Sequence, residues 1–315
     1  MINKKMESIK KLSFRIFLNT IKFFSGKRFS KLLRPLEGIA NKFLQISAPG
    51  NKYEIIVNGY KMLLPIKRNN KIDGFSCEII KSRVWEPYTT NLFKQLATKG
   101  MNCIDIGAHV GYFTLLMAGL AGNSGRVLAF EPAAENYNLL VANIKLNNFK
   151  NVSAIQKAVS DRTGQAKLYL NELNSGENTL YGHGNDYTES IAVHTVSIDE
   201  FLHGETYPVD IIKIDVEGGE LAVLSGMTKT CRLSDNLKLL IEFNPPLLQQ
   251  SNTDMAEYWD KLIELGFKHI YLIDESRGKL EVANIQEVAD IQTAIDYCKQ
   301  KDVYVNLLCL KNIKY

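Results

Sequence analysis

Residues 103–114 read "CIDIGAHVGYFT", and this stretch decides the fold. A short apolar run that contains one acid is followed by a turn with glycines at positions 107 and 111, and then by an apolar segment with helical spacing. This pattern is typical of a buried strand that passes through a tight turn into a helix. Ligands bind outside the carboxyl ends of strands in open α/β sheets, so the turn predicts a binding loop.

Downstream of this loop, short β-branched runs alternate with longer helical patterns. The strand-like runs include "RVLAF", "VSAIQKAV", "DIIKID", "KLLIEF", "HIYLI" and "VYVNLLCL". Such alternation predicts a mostly parallel sheet with helices on both faces. Residues 171–190 are a polar interruption without periodicity, which predicts a functional or disordered loop.

Upstream of the loop, residues 53–66 place two strand-like runs around Asn58-Gly59, the dipeptide preferred in tight hairpin turns. A helix is predicted to begin near Pro87 and to end before Gly100. The predicted organisation is therefore a basic helical segment (1–48), a β-hairpin with a lead-in (49–90) and a ligand-binding domain (91–315).

The N-terminal segment carries most of the positive charge of the chain. Residues 1–35 contain ten Lys/Arg and one acid, a net charge of +9, so the other 280 residues sum to −5. That balance disfavours a globular nucleic-acid binder. The pattern of residues 9–24 predicts a basic amphipathic helix. This helix could lie on an anionic membrane surface or pack on the protein's own body. The remaining alternative is that the segment is a disordered tail. Its charges rule out a signal peptide or a membrane span.

The cysteine pattern favours a reducing compartment. The five cysteines are widely spaced and form no Cys-x-x-Cys pair, so they predict free thiols rather than disulfides or a metal site. A cytoplasmic location follows as an expectation, with attachment to the inner face of the membrane if the helix binds lipid.

The binding loop departs from the dinucleotide pattern G-x-G-x-x-G, because His109 replaces the middle glycine. Glycines at 107 and 111 are expected to let the backbone approach a ligand closely. Glu131 ends the next strand-like run, where an acid can accept hydrogen bonds from both ribose hydroxyls. A nucleoside without phosphates that carries an amino-acid tail fits these features. The sequence therefore predicts S-adenosylmethionine as the ligand and disfavours an NAD-dependent dehydrogenase.

Several further motifs recur in order along the chain, among them "NIKLNN", "VDIIKIDVEGGELAVLSGM" and "LLIEFNP". With the binding loop and "VLAFEP", they resemble the FkbM family of S-adenosylmethionine-dependent methyltransferases over residues 78–310. The resemblance implies a class I Rossmann-like fold with a mostly parallel seven-stranded sheet. It also implies a cofactor site in which Asp105, Gly107 and Gly111 surround the methionine part, Glu131 holds the ribose, and Ala158, Val159 and Asp161 flank the adenine. At position 109 most members are expected to carry Asn.

The catalytic candidates lie in "IIKIDVEGGE" and "LLIEFNP". If the strand continues through them, alternation places Asp215 and Glu217 on one side of it, where either could remove a proton from an acceptor hydroxyl. With Glu242, the pair could instead hold a divalent cation such as Mg²⁺. The alternative is that Glu217 and Glu220 stabilise the N-terminus of the following helix.

Histidines are competing candidates for the base. His183 and His194 flank the polar loop, whereas His109 belongs to the binding loop and His203 and His269 are interpreted as ordinary positions.

The polar loop bears on the acceptor. Its amides and aromatic rings suit a ligand with many hydroxyls; they belong to Asn171, Asn174, Asn178, Tyr181, His183, Asn185 and Tyr187. The resemblance likewise implies O-methylation of a sugar, a glycan or a glycosylated metabolite. A non-catalytic cofactor-binding or scaffold protein that keeps the fold is the alternative.

Overall fold

The computed structural model describes residues 52–65, 67–68, 71–171, 174–182, 187–275 and 285–312. The expected basic helix in the N-terminal segment, and the loop residues His183 and Asn185, lie outside these ranges. The chain divides into two compact units. One comprises Met1–Trp85 and Glu172–Gly176, and the other comprises Glu86–Asn171 and Glu177–Tyr315.

The first unit begins with the predicted hairpin. Strands β1 (Lys52–Val57) and β2 (Tyr60–Pro65) pair antiparallel across Asn58 and Gly59, whose φ angles are 51° and 86°. Both turn residues therefore adopt the left-handed conformation that Asn-Gly tolerates. Two short paired strands follow, β3 (Lys67–Arg68) and β4 (Lys71–Ile72), and then helix α1 (Gly74–Ser82). Asp73 caps this helix by accepting a 2.9 Å hydrogen bond from the backbone N–H of Ser76.

The second unit contains the remaining elements. Its first half consists of α2 (Pro87–Leu96), β5 (Asn102–Ile106), α3 (Tyr112–Ala121), β6 (Arg126–Phe130), α4 (Ala134–Leu146), β7 (Val152–Ile155), β8 (Ala158–Val159) and β9 (Gly164–Asn171). Its second half consists of β10 (Tyr187–Val196), α5 (Ile198–Phe201), β11 (Ile211–Ile214), α6 (Glu220–Ser225), α7 (Thr228–Arg232), β12 (Lys238–Phe243), α8 (Pro245–Gln250), α9 (Met255–Glu264), β13 (His269–Ile273), β14 (Ile285–Glu287), α10 (Ile291–Lys301) and β15 (Val305–Leu310). The predicted helix at Pro87 is confirmed, with the proline in its first turn.

The central sheet has the strand order β14-β13-β15-β12-β11-β5-β6-β7. Strands β12, β11, β5, β6 and β7 run parallel to one another, whereas β15 is antiparallel to both β12 and β13. The order reverses beside β5, so the loop after β5 lies at the topological switch point where such folds bind ligands. The predicted class I Rossmann-like fold is confirmed. The described sheet has one strand more than the seven expected, because β14 pairs with the outer edge of β13.

Burial on both faces accounts for the apolar runs. Every residue of β11 is buried, and so are the last five residues of β12. Helix α9 packs Tyr258 and Leu262, both 0% exposed, into the same core as β12 and β15. Because both faces are covered, these strands read as continuous apolar stretches rather than as alternating ones.

One strand prediction differs from the structure. Residues 152–159 form two strands in different sheets: β7 ends the central sheet, and β8 belongs to a three-stranded sheet with the order β8-β10-β9. Strands β9 and β10 flank the polar loop and expose much of one face, so their polar residues hide the strand pattern. Within the described ranges, no helix has the length and apolarity required to cross a membrane.

Candidate active site at the carboxyl ends of the central strands

The binding loop after β5 has left-handed backbone at both glycines, with φ of 81° at Gly107 and 97° at Gly111. A Cβ atom at position 107 would lie 1.8 Å from the backbone oxygen of Asp215, and one at position 111 would lie 2.8 Å from Cδ1 of Leu140. The space that glycine leaves is therefore filled by the protein itself. Backbone conformation and chain packing therefore favour glycine at both positions in the protein by itself.

His109 also has left-handed backbone, with φ of 51°. Histidine and asparagine are both enriched in this region, so His109 in place of Asn preserves the shape of the loop. Its backbone N–H donates a 2.9 Å hydrogen bond to Oε2 of Glu131. That contact does not depend on the identity of the side chain at position 109.

Glu131 follows β6 and is 4% exposed. Its Oε1 accepts a 2.8 Å hydrogen bond from the backbone N–H of Ala133, and Asn136 Nδ2 lies 3.5 Å from the same oxygen. Burial raises the pKa of Glu131 to about 7, although these hydrogen bonds oppose the shift. A carboxylate offers about four acceptor positions, so an oriented acceptor with remaining capacity stands beside the binding loop.

Asp105 lies within β5 rather than at its end, and it is 1% exposed. Thr114 Oγ1, from the first turn of α3, donates a 2.5 Å hydrogen bond to Asp105 Oδ2. Burial raises the pKa of Asp105, and the positive charge of Lys213 opposes this. Asp105 is therefore held in a fixed position beneath the loop.

The expected adenine-flanking residues lie in and after β8. Ala158 and Val159 are buried, whereas Asp161 is exposed, with its Oδ1 3.9 Å from Nε of Arg162. Gly226 packs closely here, because a Cβ at that position would lie 2.3 Å from the backbone oxygen of Ser160.

Three predicted catalytic residues come together at the ends of β11 and β12. Asp215, Glu217 and Glu242 each place a carboxylate oxygen within 4.8 Å of the others. Burial raises the pKa values of Glu217 and Glu242 well above the usual range. The negative charge of Asp215 adds to the effect on both groups, and that of Glu217 adds to the effect on Glu242. We call these three residues the carboxylate cluster.

The backbone that positions Glu217 in the cluster differs from the predicted continuous strand. Strand β11 ends at Ile214, so the position of Glu217 does not follow from strand alternation. Glu217 instead has a left-handed backbone, with a φ of 55°. Glu220 rather than Glu217 stabilises the following turn, since its Oε1 accepts hydrogen bonds from the backbone N–H groups of Val216 at 3.2 Å and Gly218 at 3.3 Å.

Lys213, which the sequence reading did not single out, is a buried cation beside the cluster. Its Nζ lies 2.6 Å from Asp215 Oδ2 and 4.7 Å from the ring centre of Phe113. Burial alone would lower the pKa of Lys213, but Asp215, Glu86 and Asp105 together raise it. The signal in the sequence was a lysine inside the otherwise apolar strand "IIKI".

Glu86 is a second residue that the sequence reading missed. Its Oε2 accepts a 3.0 Å hydrogen bond from Asn306 Nδ2, although the two residues are 220 positions apart. Burial raises the pKa of Glu86 to about 8, and Lys213 opposes the shift. The exposed Tyr304 lies near this site, because it precedes Val305, which is registered opposite Phe243, the residue after Glu242. Burial raises the pKa of its phenol, and the negative charges of Glu242 and Glu86 add to the shift.

The polar loop reaches the site through Thr179. Its backbone forms an isolated bridge with Tyr169 of β9, and its Oγ1 donates a 2.6 Å hydrogen bond to the backbone oxygen of Glu217. Tyr181 Cε2 lies 3.4 Å from the position that a Cβ of Gly219 would occupy. The loop therefore brings an aromatic ring next to the turn that carries Glu217.

Two of the loop amides expected to face a ligand make internal contacts. The backbone N–H of Asn171 donates a 3.0 Å hydrogen bond to Asn178 Oδ1, and its Nδ2 donates one of 3.0 Å to Glu177 Oε2. These hydrogen bonds shape the loop.

The histidine candidates are not brought to the cluster in the described chain. His183 lies outside the described residues. His194 is exposed on β10 and His203 is exposed after α5, while His269 Nδ1 lies 3.0 Å from Glu287 Oε1.

A separate cavity of about 210 Å³ involves Val209, Leu233 and Ser234. These residues precede β11 and β12, so the cavity lies at the amino ends of those strands, opposite the carboxylate cluster. It is not part of the candidate site.

A family model described as "Methyltransferase FkbM domain" matches residues 105–269. Methyltransferase 1 of Beauveria bassiana is 31% identical over 144 residues, which are 39% of this chain and 57% of that protein. Methyltransferase sdnD of Sordaria araneosa is 30% identical over 154 residues, with 39% and 59% covered. Each match thus spans less than two thirds of the relative.

Solved structures give weaker likenesses. A methyltransferase FkbM from Methylobacillus flagellatus has a TM-score of 0.40 at 14% identity, covering 75% of this chain and 55% of that one. An S-adenosylmethionine-dependent O-methyltransferase from Thermotoga maritima has a TM-score of 0.42 at 13% identity, covering 87% and 82%. The fold assignment rests instead on the strand order described above.

Proposed function

Because this chain belongs to the FkbM methyltransferase family, we propose that it transfers a methyl group from S-adenosylmethionine to a hydroxyl group of a sugar, a glycan or a glycosylated metabolite. The proposal rests on one observation: Glu131 and the carboxylate cluster both lie at the carboxyl ends of the central strands. Glu131 lies beside the binding loop, and the carboxylate cluster lies at the ends of the neighbouring strands.

The residues at the binding loop fit this cofactor better than a cofactor that carries a pyrophosphate. The loop lacks the middle glycine of the dinucleotide pattern, because His109 occupies that position, and Asp105 is a buried acid beneath the loop. S-adenosylmethionine is instead a cation at its sulfonium and ammonium groups, and its ribose has two hydroxyls to donate. Glu131 would hold the ribose, and Asp105 with the loop at Gly107 and Gly111 would hold the methionine part. The bound cofactor supplies a methyl group that is already reactive toward an oxygen nucleophile.

The chain's own residues would prepare the acceptor. Asp215 and Glu217 are the candidates to take the proton of the hydroxyl, and Lys213 holds one oxygen of Asp215 in place at 2.6 Å. A divalent cation bound by the carboxylate cluster is an alternative means of lowering the pKa of that hydroxyl. Positioning of the acceptor contributes in either case.

Aromatic and polar groups around the cluster support a polyhydroxyl acceptor. Tyr181 lies against the turn at Gly219, and Tyr304 precedes Val305, which is registered opposite Phe243 next to Glu242. Flat aromatic faces next to carboxylate acceptors are suited to the apolar face and the hydroxyls of a sugar ring.

The test is incubation of the purified full chain with methyl-labelled S-adenosylmethionine and glycan or cell-envelope extracts. Label is expected in a carbohydrate fraction, in an ether linkage that survives mild base. The Glu131→Gln variant should lose incorporation, whereas Glu264→Gln, a change at an exposed acid, should retain it. Cofactor binding by calorimetry without label in any extract would favour the non-catalytic alternative, and tighter binding of NAD would reject the cofactor.

The N-terminal segment is proposed to attach the protein to an anionic membrane surface. Its ten basic residues could each contribute about 1 kcal/mol near such a surface. The full chain should then sediment with vesicles that contain anionic lipid, and added salt should release it. Equal sedimentation of a chain that begins at Pro49 would refute this attachment.

A further inference from the structure

The carboxylate cluster concentrates negative charge at one point. Asp215 follows β11, Glu217 lies in the next turn, and Glu242 lies in β12, yet one oxygen of each is within 4.8 Å of the others. Like charges at such distances repel strongly in a partly buried site. Lys213 contacts only Asp215 Oδ2 among these carboxylates at hydrogen-bond distance, so it compensates for one of them.

Glu242 supplies an independent observation. Glu242 is 7% exposed, and its Oε2 has no hydrogen-bond partner within the described part of the chain. A buried carboxylate oxygen without a partner is costly, and buried polar atoms are satisfied in the great majority of cases. Glu242 is also a member of the cluster, so one of its carboxylate oxygens lies within 4.8 Å of an oxygen of Asp215 and of Glu217.

We propose that Asp215, Glu217 and Glu242 form a binding site for one divalent cation of the Mg²⁺ or Mn²⁺ type. All three ligands are carboxylate oxygens, which hard cations of this type prefer, and the set contains none of the thiolate or imidazole ligands that favour zinc. The cation would provide the missing partner for Glu242 Oε2 and would offset the repulsion within the cluster.

Three protein ligands leave coordination positions open, since Mg²⁺ and Mn²⁺ prefer six. The catalytic role of the cation rests on the proposed function. An acceptor hydroxyl could take one open coordination position and would then be more easily deprotonated. Binding of the cation itself does not depend on that function, because the ligands all come from this chain.

The experiment measures cation binding alone, with the metal-stripped full chain and no cofactor or acceptor. Titration with Mn²⁺, followed by the electron paramagnetic resonance signal of the free ion, should give one saturable site per chain that Mg²⁺ competes for. Glu242→Gln should weaken the affinity at least about tenfold, since even outer partners of metal ligands commonly contribute that much. Glu264→Gln, which changes an exposed acid, should bind like the wild type.

Thermal unfolding of the same proteins gives a second measurement. The variant is expected to be the more stable protein without metal, and the wild type is expected to gain more stability with it. Without metal, Glu242→Gln should melt at a higher temperature than the wild type, because it removes a buried acid that lies close to two others. With saturating Mn²⁺, the wild type should gain stability and Glu242→Gln should gain little. Absence of saturable Mn²⁺ binding in the wild type, or equal affinity in Glu242→Gln, overturns the site. Methyl transfer without any cation requirement would remove only its catalytic role.

Discussion

Replacing Gly107 with alanine tests whether the binding loop is held by the protein or left open for a ligand. The matched control is Gly204→Ala, because Gly204 has a φ of 89°, close to the 81° of Gly107, and no atom lies within 4 Å of its Cβ position. At position 107 the new Cβ would meet the backbone oxygen of Asp215 at 1.8 Å. The two variants therefore share the backbone penalty and differ in the collision.

The expected magnitudes follow from these two terms. Left-handed backbone costs an alanine about 1–2 kcal/mol, which is the whole effect predicted for Gly204→Ala. A collision with backbone forces a local shift, which adds about 1–3 kcal/mol for Gly107→Ala. With an m-value of about 3 kcal/mol/M, the difference between the variants corresponds to about 0.3–1 M in the urea midpoint.

Urea unfolding of both variants, followed by far-UV circular dichroism, measures this difference. Gly107→Ala should also lose methyl transfer, because displacement of the Asp215 backbone moves its carboxylate. Equal midpoints for the two variants would refute the packing argument. If Gly107→Ala unfolded like Gly204→Ala but failed to bind cofactor, glycine at 107 would be required by the ligand instead.

Three further predictions concern charged groups. Glu131→Gln should weaken cofactor binding by about 1–3 kcal/mol in calorimetry; ribose hydroxyls bind the ionised form, so wild-type affinity should rise with pH through about 7 and the variant should lose this dependence. Asp215→Asn and Glu217→Gln should each reduce turnover roughly 10²-fold with cofactor affinity changed only a few-fold, and wild-type rates in both would exclude a proton-accepting role. Lys213→Met should lower the free energy of unfolding by about 3–5 kcal/mol, because it leaves buried acids without their cation; an unchanged urea midpoint would contradict this.

The parts of the fold that sequence predicts are those encoded by neighbouring residues. Asn58-Gly59 specifies a tight turn through its own backbone preferences, and Pro87 marks a helix start for the same reason. The buried strand at residues 102–106 is recognisable because apolar residues cover both of its faces. Such signals are local, so they can be read without knowing the three-dimensional structure.

Other features depend on residues that are distant in sequence. The contact of Glu86 with Asn306 joins residues 220 positions apart, and no local pattern predicts it. Glu217 lies near Glu242 from a left-handed position beyond the end of β11, so the strand alternation used to predict its side does not apply to it. Strands β9 and β10 expose polar side chains, which made their pairing invisible to an apolar pattern.

The position of β15 has a consequence for protein synthesis. This strand follows every other described strand in the chain, yet it lies in the sheet between β12 and β13. During translation, the edges of β12 and β13 that pair with β15 therefore stay unpaired until residues 305–310 have emerged from the ribosome. Exposed strand edges promote association between chains. Glu242 is registered opposite Asn306, so the cluster can acquire its final surroundings only at that late step. Premature termination upstream of Val305 should consequently yield aggregating chains rather than a partly active enzyme.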